Sequence, residues 1–247
     1  MASSDEKQTR DEIERRLVDQ YSEFVQLVGG LAHEIKNPLS TIKLSLELLA
    51  EDFSAAESQR ERRAAGKIAV VQRECQRLQD LLDDFLSFAR MQRIKLVPQN
   101  LNVQVARVLD FFQPKADAGG IEVVRYLDPD LPRVMIDPES FHAALLNLVI
   151  NAEQAMPDGG QLVARTRSTK EGVALDLIDT GCGMDMDTLK RAFDAFYSTK
   201  PGGSGLGLPT TRKIIQAHGG TLSVQSDPEH GTQFTIELPT PPRLTSK

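Results

Sequence analysis

Residues 31–40 read Leu31-Ala32-His33-Glu34-Ile35-Lys36-Asn37-Pro38-Leu39-Ser40, inside a run with helical periodicity. Phe24, Val28, Leu31, Ile35, Ile42, Leu46, Leu49 and Phe53 recur at spacings near three and four. The pattern predicts one buried face on a helix running from about Tyr21 to Phe53. His33 falls about 200° around that helix from Leu31, at roughly 100° per residue, so it points away from the apolar seam. Asn37, about one turn further on, shares its exposed stripe. Pro38 removes one backbone donor, and the reading leaves two outcomes open: a kink beside His33, or a proline that the helix tolerates. An isolated exposed histidine is most often only a solvated surface residue. The stretches further along the chain decide otherwise.

A second helix carries Ile68, Val71, Cys75, Leu78, Leu82, Phe85, Ala89 and Gln92, which alternate by three and four as a heptad seam. Ser54–Gly66 reads as the connection between the two helices, giving an antiparallel hairpin. Each helix also carries flanking apolar residues, among them Leu44, Leu48, Leu81 and Phe88, that one hairpin cannot cover. Pairing two hairpins into a four-helix bundle, as a homodimer, covers them.

The whole chain has 247 residues, 40% of them hydrophobic and 26% charged, with a net charge of −6. That acidic balance speaks against nucleic-acid binding, which needs a basic field. No apolar run reaches the ~18 residues of a membrane span, and no signal peptide is visible, so the expected location is cytoplasmic. Cys75 and Cys182 lack metal-type spacing and read as reduced thiols.

Near Lys95 the pattern changes. Val97-Pro98-Gln99-Asn100 reads as a linker or a short edge strand. After it, helical and strand-like runs alternate: a helix over Val103–Ala118, strands over Ile121–Tyr126 and Val134–Ile136, and a helix from Asp137-Pro138 to Met156. Strands follow over Gln161–Ser168 and Val173–Ile178, then a helix over Leu206–Ala217, then a last hairpin over Thr221–Ser226 and Gln233–Leu238. The sum predicts an α+β two-layer domain, a mixed or antiparallel sheet with helices on one face.

Four stretches of this second domain carry chemistry. Asn147 and Asn151 stand at i and i+4 on an otherwise apolar helix face, where buried amides need partners. Asp179-Thr180-Gly181-Cys182-Gly183-Met184 follows a strand directly. Its carboxylate can accept from an exocyclic amine, and its glycines permit close backbone approach to a planar ring. Phe193-Asp194-Ala195-Phe196-Tyr197-Ser198-Thr199-Lys200 is the third. Gly202-Gly203-Ser204-Gly205-Leu206-Gly207-Leu208 is the fourth, a glycine loop opening a helix, where free N–H groups and the helix dipole favour phosphate.

In this order, behind the His33 helix, these motifs resemble the transmitter portion of two-component sensor histidine kinases, over nearly all of residues 21–239. His33-Glu34-Ile35-Lys36-Asn37-Pro38 is similar to the family's phosphoacceptor motif. Asn147 and Asn151 match its asparagine motif, Phe193–Phe196 its phenylalanine motif, and the two glycine stretches its glycine motifs. The second domain is similar to the GHKL ATPases, the fold shared with DNA gyrase, a mismatch-repair ATPase and a heat-shock chaperone. The short stretch between Phe196 and Gly203 is closest in flavour to the nitrogen-regulation branch.

The resemblance implies a multidomain chain. Residues 1–20 are a helical lead-in or disordered, 21–94 a dimerisation and histidine phosphotransfer domain, 95–240 an ATP-binding catalytic domain, and 241–247 a tail. It implies ATP and Mg²⁺ as cofactors. Asp179 is expected to receive the adenine amino group, with Thr232 assisting through a water, while Gly181 and Gly183 admit the ring. Asn151, and more peripherally Asn147, is expected to hold the metal. The phosphates are expected in the loop of Gly203, Gly205, Leu206 and Gly207, with Lys200 placed to meet the γ-phosphate. His33 is the implied phosphoacceptor, Glu34 the implied base and Asn37 the residue implied in dephosphorylating a response-regulator receiver domain, the implied partner. Two other readings compete: a GHKL ATPase that switches conformation without a phosphohistidine, and a dimeric scaffold that has lost catalysis. The first predicts no functional histidine on the dimer helices, the second a damaged nucleotide site.

Overall fold

The computed structural model describes residues 28–32, 34–53, 58–89, 94–200 and 203–240. His33, the lead-in 1–20, positions 54–57, Pro201, Gly202 and the tail 241–247 lie outside the described residues. The chain divides into two units, Met1–Gln92 and Arg93–Lys247. Among the described residues, no helix is long and apolar enough to cross a membrane.

In the first unit, helix α1 covers residues 28–32 and 34–52, and α2 covers Gln59–Ala89. Three cross-helix ties set their direction. Lys36 pairs with Asp83, Lys43 Nζ donates to Gln76 Oε1 at 3.0 Å, and Gln72 Nε2 donates to the Leu46 carbonyl at 3.3 Å. A step forward along α1 is a step back along α2, so the helices are antiparallel. The helix continues through Pro38, and the Thr41 hydroxyl donates to the Asn37 carbonyl at 3.2 Å.

One expectation for this unit is met only in part within a single hairpin, and one needs correction. The stripe of α1 that is covered centres on Ala32 and Leu39, with Leu46 and Phe53 half-buried, at seven-residue spacing. Leu31, Ile35, Ile42 and Leu49 remain exposed, as do Val71 and Leu78 of α2. The reason is geometric: a helix with one neighbour covers only the narrow seam facing it. Ile68, Cys75 and Ala89 form the buried positions of α2. Helix α2 also begins earlier than the connection Ser54–Gly66 allows. Ser58 and Glu61 form a reciprocal cap: the Ser58 N–H donates to Glu61 Oε2 at 3.0 Å and the Glu61 N–H to Ser58 Oγ at 3.2 Å. This Ser-x-x-Glu box satisfies two orphan donors, and the Arg/Ala run after it favours helix.

The second unit opens with strand β1 (Val97–Gln99), antiparallel to β3 (Val134–Ile136). The edge-strand alternative for Val97–Gln99 holds, and Pro98 is tolerated because an edge leaves its missing donor unneeded. Helix α3 spans Leu101–Ala118, capped by Asn100, which accepts from Asn102 N. Strand β2 is Ile121–Tyr126. Helix α4 (Pro138–Ala155) starts on Asp137, which accepts from Ser140 N, with proline in the first turn where no donor is missed. Strands β4 (Gly160–Ser168) and β5 (Gly172–Asp179), helices α5 (Met186–Arg191) and α6 (Gly207–Ala217), and strands β6 (Thr221–Asp227) and β7 (Gly231–Pro239) follow. The six-residue α5, capped by Asp185, has no counterpart in the pattern reading; one turn is too short to show a period.

The main sheet has the order β2-β4-β5-β7-β6. Strand β2 pairs parallel with β4 and the other pairs are antiparallel, so the sheet is mixed. A parallel pair needs a crossover, and α4 lies in it. The core joins Phe141, Leu145, Leu148 and Val149 of α4 to Leu162, Leu175, Phe234 and Ile236 of the sheet. On the opposite sheet face, Asp176 is fully buried beneath Arg165, Arg167 and Thr235. Burial pushes its carboxyl up, but the Thr235 and Arg165 hydrogen bonds and the Arg167 charge outweigh that and hold it below the ordinary value.

Candidate nucleotide site

The end of β5 carries Asp179, only 3% exposed. Its Oδ1 accepts from the backbone N–H of Gly181 at 2.9 Å and of Thr232 at 3.2 Å. Among the described residues, no group donates to Oδ2. Burial is the dominant effect on this carboxyl and raises its pKa. The two backbone donors and the Lys200 charge only partly offset it. A desolvated carboxylate with one oxygen anchored and the other open is a receptor for an N–H donor brought by a ligand.

The loop after Asp179 is shaped by protein backbone on its far side. A Cβ on Gly181 would stand 2.6 Å from Ala155 Cβ and 2.8 Å from Asp179 Oδ1. Gly183 has φ +66, and a Cβ there would strike the Asp227 carbonyl. These glycines are demanded by packing against α4 and the β6–β7 turn. The Thr232 hydroxyl lies 3.0 Å from that of Ser226, so Thr232 meets Asp179 through its backbone N–H.

Helix α4 supplies the amide side chains. Asn147 Nδ2 donates to Thr211 Oγ1 at 2.9 Å, tying α4 to α6, and Asn151 Nδ2 lies 3.5 Å from Asn147 Oδ1. Gly207 opens α6 against Asn147, where a Cβ would stand 2.6 Å from its Oδ1. Asn147 therefore fixes the start of the helix that follows the glycine loop. Leu206 is buried at the helix start, and its N–H donates to Ser204 Oγ at 3.2 Å.

The lid root, the stretch that leads into the glycine loop, is described over Phe193–Lys200 and Gly203–Gly205. The Arg212 guanidinium sits 5.3 Å from the Phe193 ring centroid and that of Arg191 4.0 Å from the Tyr197 centroid. Phe196 has φ +66, unusual for an aromatic residue, and its N–H donates to the Gly205 carbonyl at 3.1 Å. Gly203 N–H donates to the Lys200 carbonyl at 3.1 Å. Lys200 Nζ donates to Asn151 Oδ1 at 3.0 Å and to Gln154 Oε1 at 2.7 Å.

Asn147, Asn151, Lys200, Gly207 and Leu206 are thus drawn together around α4. Asp179, Gly181, Gly183 and Thr232 form a second cluster at the end of β5, within the electrostatic reach of Lys200. On α1, Glu34 and Asn37 are exposed; His33 between them and Ala32 lies outside the described residues. Gln154 was missed. The signal was present, because Asn147, Asn151 and Gln154 stand at i, i+4 and i+7 on one helix stripe.

Among the described residues, no three His, Cys, Asp or Glu side chains gather where they could hold a metal ion. A divalent cation here would need oxygens from its own ligand, with Asn151 Oδ1 as a neutral protein donor. Hard cations take amide oxygens in that way. The same oxygen already accepts from an ammonium, so its place suits a positive charge.

Two family descriptions match this chain. The His Kinase A (phospho-acceptor) domain matches residues 25–94, and the histidine kinase-, DNA gyrase B- and HSP90-like ATPase matches residues 136–242. The chain is similar to the signal transduction histidine-protein kinase AtoS of Escherichia coli strain K12, with 31% identity over 237 residues covering 95% of this chain and 38% of AtoS. It spans 31–49% of the length of the curated relatives it matches. Among solved structures, full-length ShkA in complex with AMPPNP aligns with a TM-score of 0.70 and 26% identity, covering 87% of this chain and 45% of that one. The nucleotide-free catalytic domain of the histidine kinase ThkA aligns with a TM-score of 0.55 and 30% identity, covering 60% of this chain and 97% of that domain.

Proposed function

This chain belongs to the two-component sensor histidine kinase family, and on that premise we propose that it binds ATP with Mg²⁺ and transfers the γ-phosphoryl group to His33. An aspartate of a response-regulator receiver domain then takes the group from His33. The observation that carries the reading is Asp179, buried, anchored through one oxygen and open at the other.

In the proposed site the adenine amino group donates to Asp179 Oδ2. The glycine loop Gly203, Gly205 and Gly207 wraps the phosphates, with backbone N–H groups and the α6 dipole favouring the anion. Mg²⁺, when bound, neutralises charge on the phosphate oxygens, and Asn151 Oδ1 is the chain's own ligand for it. A histidine with an ordinary pKa near ~6.5 is largely neutral at pH 7 and offers one ring lone pair. That nitrogen forms a bond to the γ-phosphorus while the bond from phosphorus to the β–γ bridging oxygen breaks and ADP leaves. Glu34 accepts the proton from the other ring nitrogen. Asn37, exposed on α1, is the residue assigned to orient water for dephosphorylating the receiver domain. Asn37→Ala is expected to slow that reaction.

The exposed Leu31, Ile35, Ile42, Leu44, Leu48, Leu49, Val71 and Leu78 support a homodimer in which a second hairpin covers them. A donor of ATP and a receiver partner both point to the cytoplasm.

The test is labelling with γ-labelled ATP and Mg²⁺. Wild type takes up label and passes it to a receiver domain; His33→Gln and Asp179→Asn do not. Label that survives His33→Gln overturns the proposal and favours a GHKL ATPase without a phosphohistidine.

A further inference from the structure

We infer that Lys200 is a tethered stand-in for the site's divalent cation: until the metal binds, its ammonium occupies Asn151 Oδ1 and Gln154 Oε1 and straps the end of the Phe193–Lys200 stretch to α4. The inference rests on the nucleotide reading above and adds to it. Lys200, read from the sequence as a partner for the γ-phosphate, has different partners in this structure. One of them is the amide oxygen expected to ligate the metal.

Three observations carry it. The first is geometry. Nζ lies 3.0 Å from Asn151 Oδ1 and 2.7 Å from Gln154 Oε1. An ammonium only donates and amide oxygens only accept, so both contacts are charge-assisted and of fixed polarity.

The second is the kind of partner. Among the described residues Lys200 has no ion pair within contact distance. Its oxygens are neutral, the donor type a hard cation shares with ligand phosphates. Lys200 is half-buried, so its ammonium is partly stripped of water and leans on these two oxygens.

The third is the anchoring of the lid root. Lys200 N–H donates to Ser198 Oγ at 3.2 Å, and the Lys200 carbonyl accepts from Gly203 N–H at 3.1 Å. A Cβ on Gly203 would collide with Ser198 Oγ. Pulling Nζ onto α4 therefore draws in the turn at the head of the phosphate loop. A divalent cation and an ammonium on one carbonyl oxygen repel each other, so the metal displaces the lysine. The freed ammonium is then available to the phosphates. Metal binding and release of the lid become one event.

The experiment uses ADP, which has no γ-phosphate, so the lysine's expected contact there does not enter. Mg²⁺ is titrated at a fixed concentration of a fluorescent ADP analogue with the full chain, for wild type, Lys200→Met and Gln154→Ala. A strap closed most of the time weakens the apparent metal affinity by the fraction open. Lys200→Met is therefore expected to lower the half-saturating Mg²⁺ about three- to tenfold, and Gln154→Ala to lower it less. A requirement that is unchanged or higher in Lys200→Met overturns this inference alone. Wild type that binds no ADP at any Mg²⁺ concentration overturns the nucleotide reading together with it. Hydrogen exchange on the nucleotide-free chain is the second arm. Amides of residues 198–200 and 203–206 exchange faster in Lys200→Met than in wild type; equal rates overturn the strap.

Discussion

Asp179→Asn separates the ligand-facing role of this carboxylate from a structural one. The substitution keeps Oδ1, so the amide oxygen still accepts from the Gly181 and Thr232 backbone N–H groups. It replaces Oδ2 with an NH₂ group, which turns two donors toward the place of the adenine amine. Losing a hydrogen bond to a charged acceptor costs about 1.5–3 kcal/mol, and leaving a buried donor unmatched costs about 1–3 kcal/mol more. The sum is about 2.5–6 kcal/mol, roughly two to four powers of ten in the ADP Kd. Stability moves the other way. Burial holds the folded pKa of Asp179 above its unfolded value. The ionised group therefore costs stability above that pKa, and the cost is relieved as pH falls through it. Asparagine removes the charge, so Tm at neutral pH is expected to stay level or rise. The assay is calorimetric ADP titration beside a thermal scan. Binding within about threefold of wild type would show that no ligand amine meets this group. A variant that unfolds would show that the charge serves the fold. For the same reason, wild-type ADP affinity is expected to weaken as pH falls through the raised Asp179 pKa.

Other outcomes follow from the same physics. Asp176→Asn leaves Arg165 and Arg167 without their counter-charge. Both arginines are half-exposed, so solvation limits the loss to about 1–3 kcal/mol at pH 7 in a urea titration. The folded pKa of Asp176 is lowered. Its contribution is present above the unfolded carboxyl value and disappears as pH falls through the folded one, so variant and wild type should converge in acid. Gly207→Ala drives a methyl into Asn147 Oδ1 and should cost about 1–3 kcal/mol in stability, with weaker ADP binding by calorimetry. Ser58→Ala removes half of the reciprocal cap on α2 and should cost about 1 kcal/mol in thermal unfolding of the helical unit. Ile42→Glu puts a charge on the exposed apolar stripe of α1 and should shift the chain from dimer to monomer in light scattering.

The strands and helices around the nucleotide site were legible because each is bracketed by a strong local signal. Asp137-Pro138 starts α4 and Gly119-Gly120 closes α3, and these signals depend on few residues. The seam of α1 is covered only in part within one hairpin, for a physical reason. Leu31, Ile35, Ile42 and Leu49 are as apolar as Ala32 and Leu39, and periodicity alone cannot say which of two adjacent stripes meets a neighbour within the chain. The start of α2 was missed although Ser58 and Glu61 spell a capping box, because the charged residues after it lack an apolar period. At the site, motif spacing brought out Asn147, Asn151, Asp179 and Gly181, but not the tie from Lys200 to α4. That Lys200 meets Asn151 and Gln154 depends on chain folding across 49 and 46 residues. The buried Asp176 was silent as well, since strand alternation places it on the outer face and the side chains of Arg165, Arg167 and Thr235 above it seal it from water.

The central claim is that His33 receives the phosphoryl group, and locating that group on the chain tests it most directly. After incubation with ATP and Mg²⁺, peptides prepared at alkaline pH are sequenced by mass spectrometry. The account predicts phosphate on His33, stable in base and lost in acid. Phosphate on a serine, threonine or aspartate, or a chain that hydrolyses ATP and carries none, would contradict it.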